Sequence, residues 1–190
     1  MAVFNTSADS ANTGVRAFLT KVGAYYLGHD FNTSSGKGEA IWKQIIKDFG
    51  DSCAYCGTMD KLQIEHLVMF NRYEYGLHHP GNTVPLCKAC NKREKDADGT
   101  YLNWREQLRL KAKSQTDADE KEKVIDKHVA SYNYPEFTEN ELHSIRVIAQ
   151  SLYKNIQAEC DKSLQLYKEL ESSFNKKNNL SRPDQNRDEA

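Results

Sequence analysis

The chain has 190 residues, of which 38% are hydrophobic and 28% are charged, and its mean hydropathy is −0.78. This composition is typical of a polar protein with a modest core, and no apolar run approaches the ~18–20 residues of a membrane span. The 26 basic and 27 acidic residues give a net charge of −1, which argues against coating of nucleic acid by bulk attraction. The N-terminus lacks a basic region followed by an apolar stretch, so we expect no secretory signal and a cytoplasmic location.

Two helices are predicted before the first cysteine. Residues 13–27 place apolar side chains at helical spacing. Residues 28–38 form a polar loop rich in glycine and serine, and a second amphipathic helix follows over residues 39–49 before Gly50. We therefore expect residues 1–50 to form an N-terminal helical segment.

Residues 51–98 contain four cysteines, many turn-forming residues and two short strand-like pieces. The strand-like pieces are LQIEHL at 62–67 and NTVPLC at 82–87. A third element, a helix in NKREKDAD, is expected to begin at Asn91, directly after the last of these cysteines.

The C-terminal half reads as helical. Helices are predicted over residues 100–113 and 116–132, and a capping box of Thr138 and Glu141 opens a longer amphipathic helix. Residues 99–174 thus form a helical extension, and residues 175–190 have the composition of a disordered tail. The apolar residues of the long helix lie three or four apart: Leu142, Ile145, Ala149, Leu152, Ile156, Cys160, Leu164, Tyr167, Leu170 and Phe174.

Two uses of this apolar stripe remain open. It can pack on the rest of the chain, in which case Cys160 is a core residue. It can instead join two copies in a homodimer through residues 139–174.

Two Cys-x-x-Cys pairs, separated by 30 residues, predict a zinc site. In a reduced compartment this doubled spacing favours a metal over disulfides. Four thiolates fill a tetrahedral Zn²⁺ shell, so the zinc should be structural, with no open position for chemistry. The expected ligands are Cys53, Cys56, Cys87 and Cys90.

The segment between the two pairs carries a carboxylate and an imidazole side by side, Glu65 and His66, followed by Asn82. Asn91 comes directly after the last cysteine. Taken singly, each has an ordinary explanation as a surface residue, turn former or helix cap. Their order inside one zinc-braced hairpin favours a common site.

In this order of residues the chain resembles the HNH nucleases, whose catalytic unit is the ββα-metal fold. The resemblance covers Cys53 to about Lys95, under a quarter of the chain. It implies an α+β protein, mostly helical, around a small zinc-braced catalytic unit. The acid before the histidine is more usually Asp in this family, and Glu65 is one methylene longer.

The resemblance also implies a role for each matching residue. His66 corresponds to the general base that activates water, and Asn82 to the asparagine that shapes the loop over it. Glu65 and Asn91 correspond to ligands of a catalytic divalent metal. Oxygen ligands of this kind suit Mg²⁺, which would supply charge stabilisation at the phosphate.

A basic surplus lies next to this region, since residues 88–113 carry eight Lys/Arg and four acidic residues. Arg72, Lys92, Arg93 and Lys95 are the expected nucleic-acid contacts. The adjacent His78 and His79 are either solvated loop residues or helpers of the base.

The sequence therefore predicts a metal-dependent endonuclease that cleaves DNA and leaves 5′-phosphate and 3′-hydroxyl ends, of a restriction, defence or phage nicking type. A non-catalytic zinc module that binds nucleic acid or protein is the alternative. A toxin-like nuclease held by an immunity partner, or an unidentified regulatory protein partner, also remains open, and RNA is not excluded as substrate.

Overall fold

A computed structural model describes residues 6–180, with side chains as far as residue 175. The predicted class, α+β and mostly helical, is confirmed, and no helix in the described range is both long and apolar enough to cross a membrane. The elements are α1 (Ser7–Leu27), α2 (Gly36–Asp48), β1 (Leu62–His66), β2 (Thr83–Cys87), α3 (Trp104–Lys111), α4 (Gln115–Ser131) and α5 (Glu139–Leu180).

The helix boundaries that differ most from the sequence prediction are the start of α1 and the end of α5. Helix α1 begins six residues earlier than expected, because Thr6 and Asp9 form a reciprocal capping box at its N-terminus. Helix α5 continues to Leu180, beyond Phe174 where the apolar pattern ends. The rest of the tail that we expected to be disordered, residues 181–190, lies outside the described residues.

The two strands form one antiparallel ladder that places Glu65 and His66 at the end where the connecting loop begins. The register runs from Leu62 opposite Cys87 to His66 opposite Thr83. A short 3₁₀ turn, Pro80–Asn82, leads into β2. His128 of α4 holds this turn, since its Nε2–H is shared between the carbonyl oxygens of Pro80 at 3.0 Å and Thr83 at 2.9 Å.

Two hydrophobic cores meet at this end of the ladder. The first lies between the strands, the cysteines, α3 and α4, and the second between α1, α5 and the segment after β1. Leu67 belongs to the first core and Leu77 to the second, so the loop that joins them spans the junction. Fully buried members of the first core are Tyr55, Val84, Leu86, Leu108, Ala118 and Ile125, and of the second Val15, Leu19, Leu77 and Ala149.

Helix α1 runs antiparallel to the first half of α5. Gly14 faces Ile156 near one end, and the Tyr26 hydroxyl lies 3.2 Å from the Glu141 carboxylate near the other. At Gly23 the helix comes so close to the loop that a Cβ would lie 2.4 Å from the carbonyl oxygen of His78. Glycine is therefore required for this contact.

The second half of α5 has no such cover within the described residues. From Ala158 to Asn175 every residue of the helix is exposed. Cys160 is among them, so its assignment as a core residue is wrong. The cause is length: α1 has 21 residues and α5 has 42, so α1 pairs with only part of the apolar stripe.

The helix expected from Asn91 is not formed. Residues 91–100 make turns and a single bridge between Lys95 and Tyr101, and the next helix is α3 at Trp104. Long-range contacts fix this irregular path: the Glu94 N–H donates to Gln107 of α3 at 3.0 Å, and the Gln107 amide donates to the Lys92 carbonyl at 2.9 Å. A helix N-terminus at Asn91 is therefore not available to attract phosphate.

Candidate functional site

The four cysteines of the two Cys-x-x-Cys pairs meet in one cluster. Their sulfur atoms all lie within 4.8 Å of one another. Tight turns present them, with the Gly57 N–H donating to the Cys53 carbonyl at 2.8 Å and the Cys90 N–H donating to the Cys87 carbonyl at 3.1 Å. Gly57 has a φ of 75°, a left-handed conformation that glycine adopts without strain.

The geometry of this cluster fits zinc. A tetrahedron with Zn–S bonds of ~2.3 Å has edges of about 3.8 Å. The Sγ atoms of Cys56 and Cys87 are 3.7 Å apart. Burial raises the pKa of the Cys56 and Cys90 thiols, whereas at Cys53 backbone N–H groups of Cys56, Cys87 and Tyr55 outweigh burial and lower the pKa. The cluster can therefore hold a metal ion such as zinc, as the spacing predicted.

Asn82 fastens the loop that follows β1. Its side chain is buried, and its Oδ1 accepts from the Val68 N–H at 2.8 Å. Its Nδ2 donates to the carbonyl oxygens of Val68 and Leu77, both at 2.9 Å. Gly76 lies against the same group, since a Cβ there would be 2.0 Å from the Val68 oxygen. One amide thus ties together both ends of the loop.

His66 lies where this loop begins, between two clefts. A cleft of about 730 Å³ is also lined by Glu65 and Asn91, and we call it the main cleft. A second cleft, of about 500 Å³, is also lined by His78. The His66 ring stacks on Phe70, with centroids 4.7 Å and planes 20° apart. The imidazole is therefore fixed in position rather than free in the loop.

His66 shares a hydrogen bond with His78. Its Nε2 is 3.0 Å from Nδ1 of His78, so one of these two nitrogens donates to the other. Burial, helped by His78, lowers the pKa of His66 to about 3, and burial lowers the pKa of His78. Both rings are then neutral at pH 7.

Glu65 points into the main cleft and is held by an arginine. The Arg93 side chain is almost fully buried and forms an ion pair with Oε1 of Glu65 through Nε, at 3.1 Å, and Nη2. The same guanidinium donates to the carbonyl oxygens of His66 at 2.9 Å and Leu102 at 3.1 Å. Burial raises the pKa of Glu65, and Arg93 opposes that rise. Arg93, expected to contact phosphate, is thus engaged inside the protein.

Asn91, which directly follows Cys90, also lines the main cleft. Its Nδ2 donates to Gln63 Oε1 at 3.1 Å and to the Ile64 carbonyl at 3.3 Å. Those bonds leave its Oδ1 without a protein donor in the described part of the chain, and the same holds for Oε2 of Glu65. Two hard oxygen atoms therefore remain for a cation at this cleft.

The remaining predicted contacts divide into two groups. Arg72 and Lys92 line the main cleft, and Lys95 lies 4.7 Å from the ring centroid of Tyr101, which also lines it. The basic residues further on do not extend this surface. Arg105 and Arg109 pair with Glu122 and Lys111 pairs with Glu94, which neutralises that part of the sequence surplus.

Several residues of the site carried no signal in their own stretch of sequence. Arg16 of α1 lines the main cleft, and Phe31 closes the second cleft over His78. Both come from the N-terminal helical segment, far from the cysteines in the chain. His78 and His79 are adjacent in the sequence, and only the fold shows that their environments differ. His78 contacts His66, whereas His79 is buried and its Nδ1 accepts from the Gly81 N–H at 3.1 Å.

These observations define an α+β protein with a cluster of four cysteines that could hold a metal ion, beside a cleft that contains Glu65, His66 and Asn91. Comparison of the chain with family models, with curated proteins and with solved structures finds no match in any of the three. The function must therefore be argued from the site itself.

Proposed function

We propose that this chain is a metal-dependent endonuclease of the HNH type that hydrolyses phosphodiester bonds in DNA. The observation that carries the proposal is the meeting of Glu65, His66 and Asn91 on one cleft, braced by the cysteine cluster. The order β1, β2, α3 around that cluster is compatible with a ββα unit whose helix begins late. The two free ligand oxygens described above suit Mg²⁺ or a similar divalent ion.

The residues of the cleft would divide the work as follows. A ring nitrogen of His66 would take a proton from the attacking water, and the negative charge of a bound phosphate would raise the pKa of this imidazole from about 3 towards the range of an effective base. His78 and Phe70 hold the ring in place. Glu65 and Asn91 would hold the divalent ion, which stabilises charge on the phosphate and on the leaving 3′ oxygen when bound. The products carry 5′-phosphate and 3′-hydroxyl ends.

Arg93 has a positioning role in this scheme rather than a substrate contact. It fixes Oε1 of Glu65 and leaves Oε2 as the oxygen that would bind the metal ion. Its charge also balances that of the carboxylate, so the site does not carry a net negative charge before the metal binds. We therefore expect weak metal affinity, with substrate oxygens completing the shell.

The exposed half of α5 fits a second copy of this chain, as a restriction or defence enzyme that cuts both strands would need. Two such segments laid antiparallel about Tyr167 pair apolar with apolar residues: Cys160 with Phe174, Leu164 with Leu170, and Tyr167 with itself. A monomeric protein at micromolar concentration would instead fit a nicking enzyme.

The test of the proposal is nicking of supercoiled plasmid in the presence of Mg²⁺ or Mn²⁺. The His66→Ala variant should lose about 10²–10⁴-fold in rate, the range of a general base. His143→Ala is the matched control, because this histidine is exposed on α5 and lines neither cleft. Full activity in His66→Ala would refute the assignment. Wild-type protein that binds DNA but does not cut it with any divalent ion would favour the non-catalytic zinc module.

A further inference from the structure

A third cleft lies between the loop after β1 and helix α5. It has a volume of about 570 Å³, and its lining contains three cations and three tyrosines but no acidic residue. We call it the α5 groove. It is lined by Arg72, Tyr73, Tyr75, Arg146, Gln150, Tyr153, Lys154 and Gln157.

The α5 groove is continuous with the main cleft, because Arg72 and Tyr73 line both. The Arg72 guanidinium lies 4.2 Å from the ring centroid of Tyr153 and 4.7 Å from that of Tyr73. Its Nη2 donates to the Tyr73 hydroxyl at 2.5 Å, and its remaining N–H groups can still donate to a phosphate. Tyr73 is 70% exposed, although it stands at the meeting point of the two clefts.

The charges along this surface are unbalanced, in contrast to the net charge of −1 for the whole chain. Arg16 and Lys92 line the main cleft, and Arg146 and Lys154 line the groove. None of these four, nor Arg72, forms an ion pair within the described residues. The single acid of the main cleft, Glu65, is paired with Arg93.

We propose that the α5 groove binds the DNA strand on one side of the scissile phosphate. Arg72, Arg146 and Lys154 contact its phosphates, and one base stacks on Tyr73. This inference rests on the proposed nuclease function, and it assigns to α5 a part in substrate binding. Cations that follow a backbone and exposed rings that accept any base are the two components of single-strand recognition. An acidic peptide would use the cations but would leave the aromatic rings without a partner.

The experiment compares two double variants that remove the same charge. Arg146→Ala/Lys154→Ala alters the groove. Lys123→Ala/Lys127→Ala alters exposed residues of α4 that line none of the three clefts. Binding of a fluorescent single-stranded oligonucleotide is measured by anisotropy in a chelator of divalent ions, over a series of salt concentrations. The chelator separates binding from cleavage.

Each lost phosphate contact lowers the slope of log K against log salt by ~0.7 for a single strand. The groove variant should therefore lose about 1.4 from the slope and bind roughly 25-fold more weakly at 0.1 M salt. The control variant should keep the wild-type slope. Tyr73→Ala should weaken binding roughly tenfold at an unchanged slope, because stacking releases no counterions.

A groove variant that binds like the control would overturn the inference, as would wild-type protein that prefers an acidic peptide to the oligonucleotide at equal charge. The nuclease proposal fails separately. Protein that binds DNA with the predicted slope but never cleaves it would support the groove proposal and refute the nuclease proposal.

Discussion

Asn82→Asp tests whether one buried amide organises the candidate site. The substitution keeps the size and shape of the side chain and replaces the Nδ2 donor by a carboxylate oxygen. In the wild type that donor serves the carbonyl oxygens of Val68 and Leu77. After the change, three oxygen atoms face each other at hydrogen-bond distance with no proton between them at neutral pH.

The expected cost follows from these two lost bonds. A buried polar group left without a partner costs roughly 1–3 kcal/mol, and part of the loss is recovered where the loop can reach water. We expect Asn82→Asp to lower the free energy of unfolding by ~3 kcal/mol at pH 7, or about 6–12 °C in Tm for a chain of this size. The deficit should shrink at low pH, where the introduced carboxyl group becomes protonated and regains one donor.

Asn71→Asp is the matched control for this experiment. Asn71 lies in the same loop, but its side chain acts there as an acceptor: Oδ1 takes the N–H groups of Tyr73 at 2.8 Å and Glu74 at 2.9 Å. A carboxylate accepts both bonds equally well. Thermal melts followed by circular dichroism at pH 7 and pH 4.5 compare the two variants. Equal melting temperatures for both variants at pH 7 would refute the role of Asn82.

Two further predictions concern the cysteine cluster and a buried histidine. Purified protein should contain one zinc per chain, and Cys87→Ala should lose both the metal and the cooperative melt. Cys160→Ser alters an exposed thiol and should change neither. A wild-type protein that melts unchanged without metal would contradict this prediction. Burial lowers the pKa of His79 to about 4, below the value of ~6.5 in the unfolded chain. The neutral imidazole therefore contributes fully to stability above pH ~6.5, and the free energy of unfolding should fall by about 2 kcal/mol between pH 7 and pH 5. His79→Asn keeps an acceptor for the Gly81 N–H but cannot titrate, so urea unfolding at the two pH values should show a smaller loss for the variant; equal losses would exclude His79 as the source.

The sequence was most informative where a feature is local. Each Cys-x-x-Cys pair sets two sulfur atoms on one turn, so the cluster needs only that the two turns meet. The strands were visible as short apolar runs between turn residues. The missing helix at Asn91 has the opposite cause, since Gln107 and Gln63, distant in sequence, fix the backbone and side chains there.

Neither the ion pairs nor the length of α5 that α1 covers could be inferred in the same way. The sequence spacing of Glu65 and Arg93 does not indicate that they are in contact, because the contact depends on how the segment after Cys90 folds against the end of β1. The apolar stripe of α5 indicated which face is buried, but not how far α1 covers it. The α5 groove likewise combines residues 72–75 with residues 146–157, and only the fold brings them together.

The close approach of Gly23 to His78 has a consequence for how this chain can be divided. The segment from Cys53 to Lys95 holds every residue of the nuclease resemblance, yet the partner of its central histidine is wedged against the backbone of α1. Cut out alone, that segment would lose the support behind the imidazole and the part of the core that α3 and α4 pack against the cysteine cluster. The motif is therefore not structurally independent of the rest of the chain. Helix α1 supports the candidate site, and transfer of the motif into another protein would need that helix as well.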